Sequence, residues 1–180
     1  MNIIGLDLSL TSTGVCINEQ TLVITTKTKG AERLSVISKA ILETALTNNV
    51  DIAIIEGYSF ASRNSQAHSI GELGGVVRVC LWENNIPFIE IPPTCRAKFA
   101  TGRGNAAKTE VMSSISAKTG IVFSGKGSDD MCDAWILSEM CKARLGLSNY
   151  VWSTQQLLPL DKIDWEPLES LVKTEETRAQ

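Results

Sequence analysis

The chain has one histidine, His68, and five cysteines with no CxxC pair among them. A zinc centre of Cys and His ligands is thereby nearly excluded. Cys16, Cys80, Cys95, Cys132 and Cys141 are odd in number and widely spaced, so they are read as reduced thiols, most of them small core residues. No apolar run approaches the roughly 20 residues of a membrane span. The N-terminus, MNIIGLDLSL, has no basic segment ahead of its apolar stretch, which argues against a secretory leader and for a cytoplasmic protein. Nor is there an overall excess of positive charge: 17 Lys and Arg stand against 20 Asp and Glu, a net charge of −3.

What is present is a globular composition. With 180 residues, 43% of them hydrophobic, the chain fits one domain with a short appendage. The appendage carries the charge imbalance, because residues 161–180 hold six acids and three bases while residues 1–160 balance at zero. Within that neutral part, Arg96, Lys98, Arg103, Lys108, Lys118 and Lys126 face Glu110 alone over residues 92–126. A phosphate-binding surface needs only such a local excess.

Residues 2–8, 13–18 and 21–27 read as three short strands with tight connections, an antiparallel meander. The period then changes: Leu34, Ile37, Ile41, Leu42 and Ala45 recur at helical spacing, which predicts a helix over 31–48. DIAIIE (51–56) is a buried strand ending in a carboxylate. A second helix is expected over about 65–84, and a strand over 87–91 closed by Pro92-Pro93. Helical stretches follow Asn105 and, from Ser128, run to about residue 144; IVF (121–123) is ambiguous. This order implies a mixed sheet with helices on its faces. The expected division is a domain over 1–147 and a C-terminal arm over 148–180, disordered from 173. Scattered apolar residues from Trp152 to Leu171 suit packing on the domain or on a partner subunit.

Four acids stand at unusual places. Asp7 interrupts an apolar strand, where an unpaired buried carboxylate is costly. Glu56 ends the strand 51–56. Asp130 and Asp133 lie three apart and share one face of the last helix. If strands 2–8 and 51–56 are parallel neighbours, Asp7 and Glu56 meet at the carboxyl end of the sheet, and the helix can bring Asp130 and Asp133 there. Such a cluster repels itself unless cations compensate, and hard oxygen ligands suit Mg²⁺ or Mn²⁺. Two such ions about 4 Å apart would serve phosphoryl transfer. Asp129, just inside the helix, is explained by the helix dipole alone.

Four segments now carry a resemblance: GLDLSLTSTGV (5–15), IIEGYSF (54–60), PPTCRAKFATGRGNAAKTEV (92–111) and DDMCDAW (129–135). Together they resemble the RuvC-type Holliday-junction resolvases, in their phage-encoded form, over about residues 2–145. The resemblance implies an RNase H-like α/β fold: a five-stranded mixed sheet, its first three strands antiparallel, flanked by helices. It implies a homodimer whose two active sites cut opposed strands of a four-way DNA junction, leaving a 5′ phosphate and a 3′ hydroxyl. Asp7, Glu56, Asp130 and Asp133 match the family's catalytic, metal-binding acids. Lys98 and Lys108 match basic positions that hold backbone phosphate. Tyr58 or Phe60 falls where the family inserts an aromatic at the junction centre.

Beside that match, Arg103 is a candidate phosphate clamp in the glycine-rich stretch 101–105, where backbone N–H groups can approach an anion. Arg63 and His68 sit near the start of a glycine-containing helix and face DNA or solvent rather than the chemistry. Gly71, Gly74 and Gly75 are expected to permit close helix packing, against the sheet or across a dimer. The acidic tail lies outside the resemblance and is expected to cross to the partner subunit rather than mimic DNA. Three other functions compete. GLDLSLTSTG also resembles the first phosphate loop of actin-like ATPases and sugar kinases, although 180 residues supply only one of the two domains those folds need. A non-catalytic junction-binding dimer is opposed by the presence of all four acids, and a nuclease for RNA–DNA hybrids would need neither dimer nor wedge aromatic.

Overall fold

Strict alternation along the strands builds a sheet with two different faces. In the computed structural model, which describes residues 1–57 and 65–178 (without the side chains of 65–69, 175, 176 and 178), five strands pair in the order β3-β2-β1-β4-β5. They are β1 (Ile3–Asp7), β2 (Thr13–Ile17), β3 (Gln20–Ile24), β4 (Ile52–Glu56) and β5 (Phe88–Ile91). The first three are antiparallel, and β1–β4 and β4–β5 are parallel. This is the five-stranded mixed sheet that the sequence implies. Asn18 and Glu19, both at positive φ, form the two-residue turn between β2 and β3 that suits the twist of a hairpin.

One face carries Ile4, Leu6, Val15, Ile17, Ala53 and Ile55. It is covered by α1 (Gly30–Thr47), through Ile37, Ile41 and Ala45, and by α2 (Ser65–Glu83), through Leu73, Val77 and Leu81. The fourfold spacing of these residues is the helical stripe that the sheet requires. The other face carries Ile3, Cys16, Ile52, Ile54, Ile89 and Ile91, and with them Gly5, Asp7, Gly14 and Glu56 by the period of two. It receives α3 (Pro93–Thr101), α4 (Lys108–Thr119) and α5 (Ser128–Arg144).

α5 is buried continuously from Cys132 to Cys141, including Asp133, Ser138 and Glu139. It lies directly on the backbone of β1 and β2. A Cβ at Gly5 would land on the Ala134 carbonyl oxygen and 2.9 Å from the Ser138 nitrogen, and one at Gly14 would land on the Asp130 carbonyl. Close approach is therefore the work of Gly5 and Gly14. A Cβ at Gly71 or Gly75, where the sequence suggested it, would meet nothing within 4 Å among the described residues.

Past α5 the chain crosses its own domain. Trp152, Leu160, Ile163, Trp165 and Leu168 join the core on the α5 face. Leu160 lies on a 3₁₀ turn (Leu158–Lys162) that follows α6 (Thr154–Leu157), Leu168 lies on α7 (Glu166–Arg178), and the other three stand in the connections beside them; α7 continues through the stretch where composition alone suggests disorder. The Trp152 ring packs on Phe99 of α3 at 4.2 Å between centroids, and the buried Gln156 donates to the Ala100 carbonyl. Buried Glu139 accepts hydrogen bonds from Ser148 and Trp152, which ties the start of the arm to α5. All five cysteines are free, and burial pushes the Cys16, Cys132 and Cys141 thiols up to about 12, as befits inert core residues. Among the described residues no helix is long and apolar enough to cross a membrane.

The contact at Gly5 is with backbone, so a methyl group there cannot be accommodated by a rotamer change. Gly5→Ala is expected to lose about 3 kcal/mol of stability or more in urea unfolding. Wild-type stability in that variant would mean that α5 does not rest on β1 as described.

Candidate active site

β1 and β4 run parallel with Leu6 level with Ile55. One residue further, Asp7 and Glu56 end their strands as neighbours on the α5 face, close enough for the Glu56 carboxyl to raise the pKa of Asp7. The helix laid on Gly5 and Gly14 brings Asp130 and Asp133 to the same end of the sheet. The convergence expected from the sequence is the one found. The Asp133 side chain is only 3% exposed, and those of Asp130 and Glu56 are 15% and 16% exposed.

Two cations stand among these acids. Lys108, at the start of α4, reaches Asp129 at 2.9 Å, Asp130 at 3.7 Å and Asp133 at 3.9 Å while remaining more than half exposed. Asp129 is thus more than a helix-dipole residue: the hydrogen bond from Lys108 holds its carboxyl below the usual range. The second cation is Arg96, which is buried. Its Nε donates to Glu56 at 2.6 Å and its Nη1 donates to Asp133, so one guanidinium bridges two of the four acids.

In the sequence Arg96 counts only as local charge, because Pro92-Pro93 reads as the end of a strand; the pair also opens α3, with proline in the first helical turn, where no N–H is needed. Lys98, the residue chosen from the resemblance, follows Arg96 by two positions, about 200° around the helix. Among the described residues it makes no ion pair with the acids. Arg103 is exposed and paired with Glu110. Tyr58, Phe60 and Arg63, and the side chain of His68, lie outside the described residues.

The electrostatics show a cluster short of positive charge. Burial above all, then the charges of Glu56 and Asp133, hold the Asp7 carboxyl well above the usual range. Burial likewise pushes Asp133 up to about 7, with Glu56 adding to the shift and Arg96 and Lys108 opposing it. Asp133 Oδ2 is buried without a hydrogen-bond partner. These are hard oxygen donors with negative charge to spare, which fits a divalent cation such as Mg²⁺ or Mn²⁺. As they stand with Arg96 among them, no three acids of the described residues form a ready metal cage.

Residues 3–136, which include all four acids, Arg96 and Lys108, match the family model "Crossover junction endodeoxyribonuclease RuvC". The chain belongs to the RuvC family. The RuvC named as crossover junction endodeoxyribonuclease in Carboxydothermus hydrogenoformans is 31% identical over 144 residues, covering 74% of this chain and 90% of that protein. Among solved structures, Thermus thermophilus RuvC superposes with a TM-score of 0.65 at 22% identity, over 84% of this chain and 100% of that one. The same protein in complex with Holliday junction substrate gives 0.64 at 21% identity, over 84% and 99%. The RNase H-like fold of the RuvC proteins is therefore the fold of this chain, and the RuvC match ends before the arm.

A carboxyl whose folded-state pKa is raised stabilises the protein at low pH and loses that contribution as pH rises through the folded value. For Asp133 that window runs from its ordinary 3.8 to about 7. The metal-free protein is accordingly expected to melt a few degrees lower at pH 8 than at pH 5, and Asp133→Asn to flatten that dependence. A scanning-calorimetry series in chelator checks this, and a melting temperature that rises over the same interval would contradict the burial of Asp133.

Proposed function

We propose that this chain is a structure-selective endonuclease that cuts four-way DNA junctions, and other branched DNA, by paired nicks. The observation that carries the reading is the convergence of Asp7, Glu56, Asp130 and Asp133 beside Lys108, within a chain of the crossover junction endodeoxyribonuclease family. A related fold seen with Holliday junction substrate supports the choice of DNA. The reaction is phosphodiester hydrolysis, in which water attacks phosphorus and the 3′ oxygen leaves.

The residues divide the work by position. Asp7, Glu56, Asp130 and Asp133 would hold Mg²⁺ or Mn²⁺, two ions in the full site. Bound there, the metal lowers the pKa of water and stabilises charge on the leaving oxygen. Lys108, exposed at the mouth of the cluster, meets a non-bridging phosphate oxygen of the scissile group. Asp129 orients the Lys108 ammonium by its hydrogen bond. The first turn of α4 has no side-chain cap, so its backbone N–H groups add positive potential beside Lys108. Arg103 and Lys98 extend the basic surface toward flanking phosphates. Tyr58, Phe60 and Arg63 are assigned to the junction centre from the resemblance alone.

Paired nicks need two sites, and the reading includes a homodimer. Its support is the outer face of α2, where Val76, Val79 and Trp82 stand exposed at three-residue spacing, Trp82 to 74%. A contiguous apolar face of this kind marks an interaction surface. The phage-encoded assignment and a place in the host cytoplasm rest on the sequence resemblance.

The purified chain, incubated with a labelled four-way junction and a matched linear duplex, is expected to nick the junction in Mg²⁺ or Mn²⁺, to spare the duplex, and to cut neither DNA in chelator. Asp7→Asn should lower cutting by a factor of about 10³ or more while junction binding persists. Unimpaired cutting by that variant, or binding of ATP in place of DNA, overturns the reading. Val79→Glu should sediment as a monomer and lose paired cuts, leaving single nicks at most. If the variant stays dimeric, the α2 interface is wrong.

A further inference from the structure

Arg96 stands buried among the acids, bridging two of them, and this bears on how the site is loaded. Both hydrogen bonds that its guanidinium makes among the described residues go to acids of the cluster, Glu56 and Asp133. The side chain is buried, with 9% of its surface exposed. Arginine does not lose its charge in proteins, so it cannot leave these partners by deprotonation. It can leave only by moving.

The same two carboxylates are needed by a metal. The guanidinium takes up one oxygen each of Glu56 and Asp133, so a divalent ion that ligates both meets a positive charge already seated between them. With it there, no three acids of the described residues are placed to ligate one ion. The Asp133 oxygen left over, Oδ2, is buried, lacks a hydrogen-bond partner and sits 3.9 Å from the Lys108 ammonium.

We propose that Arg96 is a built-in cation that occupies part of the metal site of the DNA-free protein, bridging Glu56 and Asp133, and that full loading with divalent metal displaces it from those acids. The proposal rests on the metal-dependent reading of the site given above. Arg96 holds the acids together against their mutual repulsion when metal is scarce, and competes with the metal when it is present. Displaced, the guanidinium stays tethered to α3 at the edge of the site. There its flat, two-pronged donor edge matches the phosphate of an incoming strand.

The test uses the full chain without DNA at pH 8. Manganese affinity is read from the electron paramagnetic resonance of free Mn²⁺, for wild type, Arg96→Gln and Arg96→Lys. Removing the competitor is expected to tighten binding at least about tenfold in Arg96→Gln, with Arg96→Lys in between because an ammonium cannot bridge both acids in the same way. In the ¹⁵N-labelled wild-type protein, the Arg96 Nε–H resonance, identified by its absence in Arg96→Lys, is expected to shift as Mg²⁺ saturates the site. This second measurement stands even if Arg96→Gln fails to fold. Equal or weaker Mn²⁺ binding by a folded Arg96→Gln, or a resonance that Mg²⁺ at saturation leaves unmoved, overturns the displacement. Absence of divalent binding in all three proteins overturns the metal-dependent reading itself.

Discussion

The contact on which the rest depends is between backbone and backbone. α5 rests on β1 and β2 where Gly5 and Gly14 leave no side chain in the way, and the Ala134 and Asp130 carbonyls fill the space that a Cβ would take. Any larger residue would lift the helix from the sheet. Asp130 and Asp133 would then no longer stand beside Asp7 and Glu56. Both glycines lie in the segment GLDLSLTSTG, which on its own reads equally well as a phosphate loop. In this fold they are contact points for a helix, and the difference decides between a nucleotide pocket and a cluster of carboxylates.

That cluster is held at a cost in electrostatic free energy. Carboxyl groups brought out of water and close to one another resist ionisation, as the raised pKa values of Asp7 and Asp133 show. Among the described residues two cations offset part of the repulsion. Arg96 is buried and bridging; Lys108 is exposed and shared among three aspartates. The two are unlike in a way that suits different tasks. A buried guanidinium that bridges two carboxylates organises the acids, and an exposed ammonium on a flexible stem is free to follow a substrate.

Much of this was legible before the structure. Asp7 stood out because a carboxylate in an apolar strand demands a reason, and Asp130 and Asp133 because their spacing puts them on one helical face. The sheet was legible from short apolar and β-branched runs, the tight connections between them, and the order of strands and helices. Arg96 was not, because recognising it required α3, a nine-residue helix whose first turn carries the prolines that also close β5. With that helix unread, Lys98 and Arg96 could not be told apart by direction. The seat of the arm was also hidden. Trp152, Leu160, Ile163 and Trp165 follow no period, since each fills a gap in a surface assembled from distant parts of the chain.

The arm bears on the order of events in synthesis. The site takes its first acid from residue 7 and its last from residue 133, and the core beneath it is closed by side chains as late as Leu168. Contacts of such sequence separation form late in folding, because the intervening chain must first be made and then ordered. A chain cut short before Asp133 therefore lacks the fourth acid, and one cut short before Leu168 lacks a side chain that closes the core on that face.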